Sequence, residues 1–259
     1  MGKIIAVSNQ KGGVGKSTTV VNLAAALGGK NKKVLVVDID AQGNTTTGLG
    51  VRKRGVTETV YEVLIGKSRA EDAVLPTAFK GVSLISSAQK LAGAEIELAN
   101  LDNRLIRLKM QLLTVKDRYD FILIDCPPSL SLITLNALTA CDSVLIPIQC
   151  EFYSLEGLVQ LMDTIKRIKD GYNSRLYIEG ILFTMYVGRY NLTAQVVAEV
   201  KKYFPKEVYE TVIPRNVALS EAPSHGKPIM YYDRTSRGSE SYESFCVEFL
   251  QRIRDRGRK

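Results

Sequence analysis

The sequence has little of the chemistry from which metal centres and disulfide frameworks are built. Its 259 residues contain no tryptophan, one histidine and four cysteines. The cysteines are widely spaced and form no C-x-x-C pair; they are Cys126, Cys141, Cys150 and Cys246. A zinc or iron–sulfur site would need such pairs, so the spacing argues against one and is typical of a protein from a reducing compartment.

Long apolar runs are also lacking. No stretch approaches the roughly 18–20 residues of a membrane span, and the chain enters a strand-like segment at residue 3, so we expect neither a membrane helix nor a signal peptide. Internal repeats, low-complexity segments and linkers are absent as well. With 45% hydrophobic and 24% charged residues, the chain is predicted to form one cytoplasmic domain over residues 1–259.

Negative charge is in deficit. The 35 Lys and Arg residues outnumber the 27 Asp and Glu residues, which gives a formal net charge of +8 and a pI of about 9.2. Such an excess favours polyanionic partners, namely nucleic acid or anionic lipid. Charge alone is equally compatible with a basic protein that has no such partner, so both interpretations stay open at this point.

Strand-like and helix-like patterns alternate along the chain. Several strand-like runs are continuous Val, Ile and Leu stretches, as expected for parallel strands buried on both faces. The predicted strands are 3–8, 33–38, 82–86, 119–125, 143–149, 176–184 and 208–213. The alternation predicts an α/β fold with a doubly wound, mostly parallel sheet, helices on both faces and a ligand site at the carboxyl ends of the strands.

Apolar residues recur at helical spacing in three longer segments. They predict helices over 101–116, from residue 154 onward, and over 240–254, because side chains three and four positions apart share one helix face. In the last segment this face consists of Tyr242, Phe245, Cys246, Phe249, Leu250 and Ile253. We expect this C-terminal helix to dock on the rest of the domain.

A glycine-rich segment between the first strand and the first helix carries the strongest functional signal. It consists of Lys11, Gly12, Gly13, Val14, Gly15, Lys16, Ser17 and Thr18. Glycines let the backbone turn its N–H groups toward an anion, and the helix N-terminus adds a positive dipole end. Lys16 is expected to reach the β- and γ-phosphates of a nucleotide, and the Ser17 hydroxyl to ligate Mg²⁺. The loop departs from the common pattern, because Gln10 replaces its first glycine and Lys11 adds a second lysine.

Acidic residues follow two of the predicted strands, where a doubly wound sheet places its ligand site. Asp38 and Asp40 end one apolar strand, and Asp125 follows four apolar residues in the form of a Walker B motif. A carboxylate here can position a water for attack on the γ-phosphate or hold Mg²⁺ through its water shell. Each Asp taken alone is also compatible with a simple turn or helix cap.

Five segments together resemble the ParA/Soj chromosome- and plasmid-partitioning ATPases, members of the deviant Walker A class that also contains MinD. They are the glycine-rich loop, 38–44, 124–129, 213–216 and 219–228, and they occur in the family's order. The resemblance runs from residue 3 to about residue 245. It implies a P-loop ATPase with ATP and Mg²⁺ as cofactors.

The resemblance also implies roles for single residues. Lys11 matches the lysine that reaches the partner subunit's phosphates in an ATP-sandwich dimer, and Gly12 lies where the subunits meet. Asp40 matches the water-positioning aspartate and Asp38 its neighbour at the metal site. Asp125 matches the Walker B acid.

Two further positions of the family belong to the base of the nucleotide. Pro214 and Asn216 match a loop that covers the adenine. The single histidine, His225, lies in a turn of the same region, and we assign it no catalytic role.

DNA binding without sequence preference is a further implication of the resemblance. Arg189 matches a DNA-contacting arginine of the family. Other candidates, for each of which a solvated surface position is the simpler interpretation, are Lys201, Lys202, Arg215, Arg252, Arg254, Arg256 and Arg258. The chain departs from many relatives at Ala41, Val187 and Ala218, and these departures bear on the DNA-contact surface rather than on ATP hydrolysis.

The function expected from these observations is that of a ParA-type ATPase of weak intrinsic turnover. It dimerises with ATP, binds DNA non-specifically and leaves it after hydrolysis, which segregates a chromosome or plasmid with a ParB-type, centromere-binding partner. The protein is then nucleoid-associated, with no stable membrane association. One alternative is a MinD-type membrane ATPase, which would need an amphipathic helix with an apolar face; segment 251–259, whose only apolar residue is Ile253, disfavours it. The other is a DNA-binding regulator that uses ATP as a ligand without significant hydrolysis.

Overall fold

The computed structural model describes residues 2–151 and 154–257 and contains one seven-stranded sheet. Its strand order is β3-β4-β2-β5-β1-β6-β7. The strands are β1 (Lys3–Val7), β2 (Val34–Asp38), β3 (Val74–Pro76), β4 (Val82–Ile85), β5 (Phe121–Asp125), β6 (Ser143–Gln149) and β7 (Tyr177–Thr184). All neighbouring pairs are parallel except β3 with β4. The predicted fold class, a doubly wound, mostly parallel sheet, is confirmed.

Helices cover both faces of this sheet. They are α1 (Lys16–Gly29), α2 (Asn44–Gly48), α3 (Val60–Ile65), α4 (Ala94–Ala99), α5 (Arg107–Leu113), α6 (Leu132–Ala140), α7 (Ser154–Gly171), α8 (Asn191–Tyr203), α9 (Val217–Glu221), α10 (Ile229–Tyr232) and α11 (Arg237–Gly257). One core layer joins the sheet to α3–α8, and the other joins it to α1 and α9–α11. Burying strands on both sides explains their uniformly apolar sequences.

The register of the central strands brings the predicted site residues to one edge. β5 lies between β1 and β2, and Asp125 is opposite both Val7 and Asp38. The loop that follows β1 therefore begins beside the two acidic strand ends. Parallel strands end at the same edge of a sheet, so the topology alone assembles a site from segments that are more than 100 residues apart.

The predicted strand 208–213 is wrong. Although all six residues are described, only Val208 forms a bridge, to Ile181 of β7. The reason is a side chain of α11: the Glu248 carboxylate accepts the N–H groups of Glu210 and Thr211, each at 2.9 Å. Those two N–H groups are therefore not available for a continuous β-ladder. The segment is bonded to β7 only at separate points, where the N–H groups of Tyr209 and Ile213 donate to the Ile181 and Phe183 carbonyls at 2.9 and 2.8 Å.

The predicted helix 101–116 is largely wrong as well. Only Arg107–Leu113 forms α5, and Asn103 has a φ of 58°, a left-handed conformation that no α-helix continues through. Leu108 and Leu112 lie in the core as their spacing indicates. The short antiparallel edge strand β3 was missed, since its three residues give no usable periodicity.

The C-terminal helix packs against α1. Tyr242, Phe245, Cys246 and Phe249 are buried at that contact, on the face that the spacing predicts. None of the described helices combines the length and the apolar character needed to cross a membrane.

Candidate functional site

The glycine-rich loop curls over the N-terminus of α1. Gly13 and Gly15 have φ values of 73° and 85°, in the left-handed region that strains residues with a Cβ. Gly15 directly precedes α1, so this conformation turns the chain from the loop into the helix. The result is a ring of backbone N–H groups at a positive dipole end, the arrangement that binds phosphate.

Two side chains from the neighbouring strands hold the carbonyl groups of this loop. Gln149, at the end of β6, donates to the Gly13 carbonyl at 3.0 Å. Thr184, at the end of β7, donates to the Val14 carbonyl at 2.8 Å. Thr184 and Val14 are both buried, so without this bond the carbonyl would be left unpaired. The loop is thus oriented by residues that lie far from it in the sequence.

The two lysines of the loop point in different directions. Lys16 is 7% exposed, and its Nζ donates to the Lys11 carbonyl at 3.0 Å, inside the loop. The Lys11 side chain instead leaves the loop and forms an ion pair with Glu151. Asn9 holds the turn that leads into Lys11, because its Oδ1 accepts the Lys11 N–H at 3.0 Å and its amide donates to the Pro147 carbonyl at 2.7 Å.

Burial lowers the pKa of Lys16, since desolvation disfavours the ammonium. The carboxylates of Asp125 and Asp40 act in the opposite direction. Buried close to these acids, Lys16 is a cation that gains from an added phosphate. The contact of Lys16 with the phosphates of a nucleotide stays a prediction.

Asp38 and Asp125 form a buried acidic pair beneath the loop, with both side chains at 0% exposure. Desolvation is the main reason that the pKa of Asp38 is raised to about 6 and that of Asp125 to about 7; the charge of Asp38 adds to the second shift. The start of α2 covers the pair. Thr46 donates its N–H at 2.7 Å and its hydroxyl at 2.6 Å to Asp38, and Thr45 donates its hydroxyl to Asp125 at 2.7 Å.

One oxygen of this pair has the character of a metal-site atom. Asp125 Oδ1 is buried and finds no hydrogen-bond partner within the described residues, which is costly unless something else satisfies it. The Ser17 hydroxyl acts on the same carboxylate and lowers its pKa. No cluster of three or more acidic, His or Cys side chains forms a ready metal cage in the described parts of the chain. A carboxylate oxygen and a hydroxyl are a donor set that fits Mg²⁺, which takes few protein ligands and is completed by water and phosphate oxygens.

Asp40 lies at the mouth of the site rather than beneath it. It is 9% exposed and lines the cleft above the loop. Its Oδ1 accepts the N–H of Gln42 at 3.0 Å, and its carbonyl accepts the Ser87 hydroxyl at 2.6 Å. The aspartate is thus held by its own turn and by the loop after β4, and its second carboxylate oxygen is not needed for that turn.

The loop opens into a cleft of about 770 Å³. The glycines, Lys16, Ser17 and Thr18 form one end, and Pro214 and Asn216 line it farther along. Asn216 Oδ1 accepts the Leu219 N–H at 3.2 Å and so caps α9. This orients the segment that carries the two predicted adenine-covering residues.

Arg189 is not part of this cleft. It lies exposed after β7, and its guanidinium stacks on the ring of Tyr190 at 5.3 Å. Arg215, another candidate, lines the cleft.

The C-terminal cations are mainly occupied inside the protein. Arg252 donates to the Val208 carbonyl at 2.6 Å and pairs with Glu248 at 2.7 Å, and Arg256 donates to the Glu179 carbonyl at 3.1 Å. Arg254 is exposed, and Arg258 lies outside the described residues. Lys201 and Lys202 form weak surface pairs at 3.5 and 3.9 Å.

Sequence reasoning missed the residues that support the loop and the acidic pair: Asn9, Thr45, Thr46, Ser87, Gln149, Glu151 and Thr184. Asn9 and the two threonines adjoin recognised motifs, so position could have suggested them. The other four come from strand ends and loops that only the fold brings to the site.

Comparison with known proteins assigns the chain to a family. A family model described as an AAA domain matches residues 2–178. The sporulation initiation inhibitor protein Soj of Bacillus subtilis is 57% identical over 248 residues, which cover 96% of this chain and 98% of that protein. The chromosome partitioning protein ParA of Myxococcus xanthus is 51% identical over 252 residues, which cover 97% and 89%.

A solved structure agrees over nearly the whole length. It is a Mycobacterium smegmatis protein described as cobyrinic acid a,c-diamide synthase with bound ADP and magnesium, with a TM-score of 0.85 at 34% identity, covering 98% of this chain and 96% of that one. The partitioning proteins are much more similar in sequence, at 57% and 51% identity, and their alignments also cover nearly the whole of this chain. The chain therefore belongs to the ParA/Soj family of chromosome-partitioning ATPases.

Proposed function

We propose that this protein binds Mg·ATP in the cleft, dimerises around it, and binds DNA non-specifically as the dimer. Hydrolysis releases the DNA, and the cycle segregates a chromosome or plasmid together with a ParB-type partner on the nucleoid. The orientation of Lys11 carries the proposal. Its ammonium points out of its own loop, toward Glu151, while Lys16 fills the loop.

The Lys11 ion pair is weak enough to be exchanged for a phosphate. Its side chains are 30% and 57% exposed, and exposed pairs contribute only about 0–1 kcal/mol. Apart from its two neighbours in the chain, no atom of the described residues lies within 4 Å of where a Cβ on the adjacent Gly12 would be. These observations support an approach of a second subunit at Lys11 and Gly12, with ATP as part of the interface.

Mg²⁺ would be held by the Ser17 hydroxyl, with Asp125 and Asp38 acting on its water shell. It would neutralise charge on the β- and γ-phosphates. Asp38 has a second task, because its Oδ2 takes two hydrogen bonds from Thr46 and so fixes α2 above the metal site.

Asp40 is the residue that we assign to water positioning. It is next to the phosphate loop, lines the cleft, and is held in its own turn. An acceptor placed there orients a water for attack on the γ-phosphate. Gly13, Val14, Gly15 and Thr18 would bind the phosphates through the loop backbone, while Pro214 and Asn216 would cover the base.

DNA binding rests on the family, the net charge of +8 and the exposure of Arg189. Contacts made by such side chains go to phosphates and carry no sequence information. The γ-phosphate would act as the switch, because it holds the dimer and its loss frees the subunits.

Replacing Asp40 tests this function. Asp40→Ala should leave ATP binding intact and stop turnover, so the ATP dimer should persist on DNA. Phosphate release and the lifetime of the protein–DNA complex after dilution measure the two effects. A variant that stays monomeric with Mg·ATP, or that hydrolyses ATP at the wild-type rate, would contradict the assignment.

A further inference from the structure

The loop after α2 carries three consecutive cations that the ATPase site does not use. Arg52, Lys53 and Arg54 are all exposed. In the described part of the chain none of them forms an ion pair with a carboxylate, unlike Arg252 and Lys116, which have such partners. Concentrated charge without a partner is the electrostatic signature of a polyanion contact.

This basic loop (residues 50–55) is anchored to α2 at its N-terminal end. Gly50 and Gly55, which bracket it, have φ values of 73° and 87°. The Val51 N–H donates to the Thr46 carbonyl at 3.1 Å, which extends the hydrogen bonding of α2. A cation on such a loop loses less freedom on binding than one on a mobile tail.

The basic loop is also tied to the catalytic turn. Lys53 donates to the Gln42 carbonyl, and its side chain lies over Gly43. Both residues are hydrogen-bonded to Asp40. The Gln42 N–H donates to Asp40 Oδ1 at 3.0 Å, and the Gly43 N–H donates to the Asp40 carbonyl at 2.8 Å. A movement of the Asp40 turn on ATP binding or hydrolysis would therefore move the cations.

A second cationic segment lies against the basic loop. A Cβ on Gly50 would come within 2.9 Å of the Gly226 carbonyl, so the two backbones are in close contact. Lys227, next in the chain, is exposed and lines the nucleotide cleft. The carboxylate of Glu221, an acidic residue in the same region, accepts a hydrogen bond from the Tyr232 hydroxyl at 3.1 Å.

We propose that the basic loop, with Lys227 beside it, is a DNA-phosphate contact surface of this protein. This inference rests on the proposed function, because it extends the DNA-binding surface beyond Arg189. The link through Lys53 and Gln42 makes the contact responsive to the nucleotide.

Chemistry favours DNA over an anionic membrane. A membrane-binding segment adds apolar side chains that enter the acyl region, whereas the tip of the basic loop is Arg52, Lys53, Arg54 and Gly55. Arginine guanidinium groups are well suited to phosphate oxygens. The surface therefore fits a phosphate backbone.

A charge-matched pair of double variants tests the proposal. Arg52→Gln/Arg54→Gln removes two cations from the basic loop and spares Lys53. Lys166→Gln/Arg167→Gln removes two exposed cations from α7, on the other face of the sheet. Full-length proteins with Mg·ATP are titrated with a random-sequence duplex at several salt concentrations. Sizing with Mg·ATP and the Tm establish that both variants fold and dimerise.

The loop variant should bind DNA more weakly, and its slope of log affinity against log salt should fall by about two for each loop in contact, since each phosphate contributes about 0.9. The α7 variant should keep the wild-type slope. Equal slopes for the two variants would overturn the proposal. The proposal would also be overturned if the loop variant bound DNA like the wild type but had lost binding to anionic phospholipid vesicles, measured by co-sedimentation with Mg·ATP. Failure of the wild-type protein to bind DNA would instead refute the proposed function itself, and this inference with it.

Discussion

At the residue scale, the phosphate loop depends on what becomes of its carbonyl groups. A loop that turns its N–H groups toward an anion turns its C=O groups outward, where they need donors. Gln149 and Thr184 supply these donors to Gly13 and Val14. If a donor is lost, the peptide can rotate and present its carbonyl to the phosphate. The side chains thus act on the nucleotide through the loop.

Thr184→Val tests this positioning role. The change keeps the shape of the side chain and leaves the Val14 carbonyl without its donor, a loss of about 1–3 kcal/mol. We expect the affinity for ATP and ADP to fall roughly tenfold, while kcat changes much less. Fluorescent-nucleotide titration and steady-state kinetics measure the two.

The control for this substitution is Thr139→Val. Thr139 is buried and donates to the Leu135 carbonyl at 2.8 Å within α6, away from the cleft. Thr139→Val should lower the free energy of unfolding about as much as Thr184→Val does and leave the affinity for nucleotide unchanged. If both variants weaken nucleotide binding equally, Thr184 has only a structural role.

The sequence predicted the residues of the site that form contiguous motifs. The loop from Lys11 to Thr18, Asp40 and Asp125 meet at one edge because the strands before them are parallel neighbours. It could not predict Gln149, Thr184 or Glu151, because a lone polar residue at the end of a strand has no local signature. Their meaning depends on which strands become neighbours of β1.

At the element scale, α2 acts as a clamp over the acidic pair. Its first turn donates three hydrogen bonds to Asp38 and Asp125 through Thr45 and Thr46. The same element leads into the basic loop and contacts the turn before α10. One short helix therefore connects the proposed metal site, the turn that carries Asp40 and the proposed DNA surface.

The acidic pair predicts how the stability of the nucleotide-free protein depends on pH. The folded-state pKa values of about 6 for Asp38 and about 7 for Asp125 lie above the ordinary value of 3.8. The folded state therefore favours the protonated carboxyls, and the stability that this gives at low pH is lost as pH rises through 6 and 7. Each unit of raised pKa corresponds to about 1.4 kcal/mol.

Asp125→Asn should remove this dependence. Without nucleotide, the variant should be more stable than the wild type at pH 8 by several °C in Tm, since 1 kcal/mol corresponds to about 2–4 °C at this size. The difference should shrink toward pH 5. Thermal melts across pH 5–8 measure it, with the exposed Asp163→Asn on α7 as control. A difference that is constant with pH would contradict the account.

Elements also differ in how far the sequence determines them. The buried parallel strands were predicted within one or two residues at their ends, because an uninterrupted Val, Ile and Leu run leaves few alternatives. Residues 208–213 were also predicted to form a strand, yet the Glu248 carboxylate of α11 accepts hydrogen bonds from two of their N–H groups. That competition is tertiary, so no local pattern could reveal it.

At the scale of the whole molecule, charge divides into a structural and a free part. Arg252, Arg256 and Lys3 serve the interior, the last paired with the buried Glu179. Arg189 and the basic loop stay exposed. Net charge alone could not make this distinction, since it counts both parts equally.

Arg189→Ala should reduce DNA binding and leave ATP-dependent dimerisation intact. Loss of one phosphate contact should lower the salt slope by about one. Arg167→Ala on α7 is the matched control. A wild-type salt titration for Arg189→Ala would remove this residue from the DNA-contact surface.

The central claim is that each subunit offers Lys11 to the nucleotide of the other, which joins dimerisation to DNA binding. Light scattering with Mg·ATP, with and without duplex DNA, tests it most directly, with Lys11→Ala beside the wild type and Lys30→Ala as a surface control. The wild type and Lys30→Ala should become dimers and bind the duplex, while Lys11→Ala should stay monomeric and off the DNA. A wild-type protein that remains a monomer and ignores the duplex at saturating Mg·ATP would contradict the account.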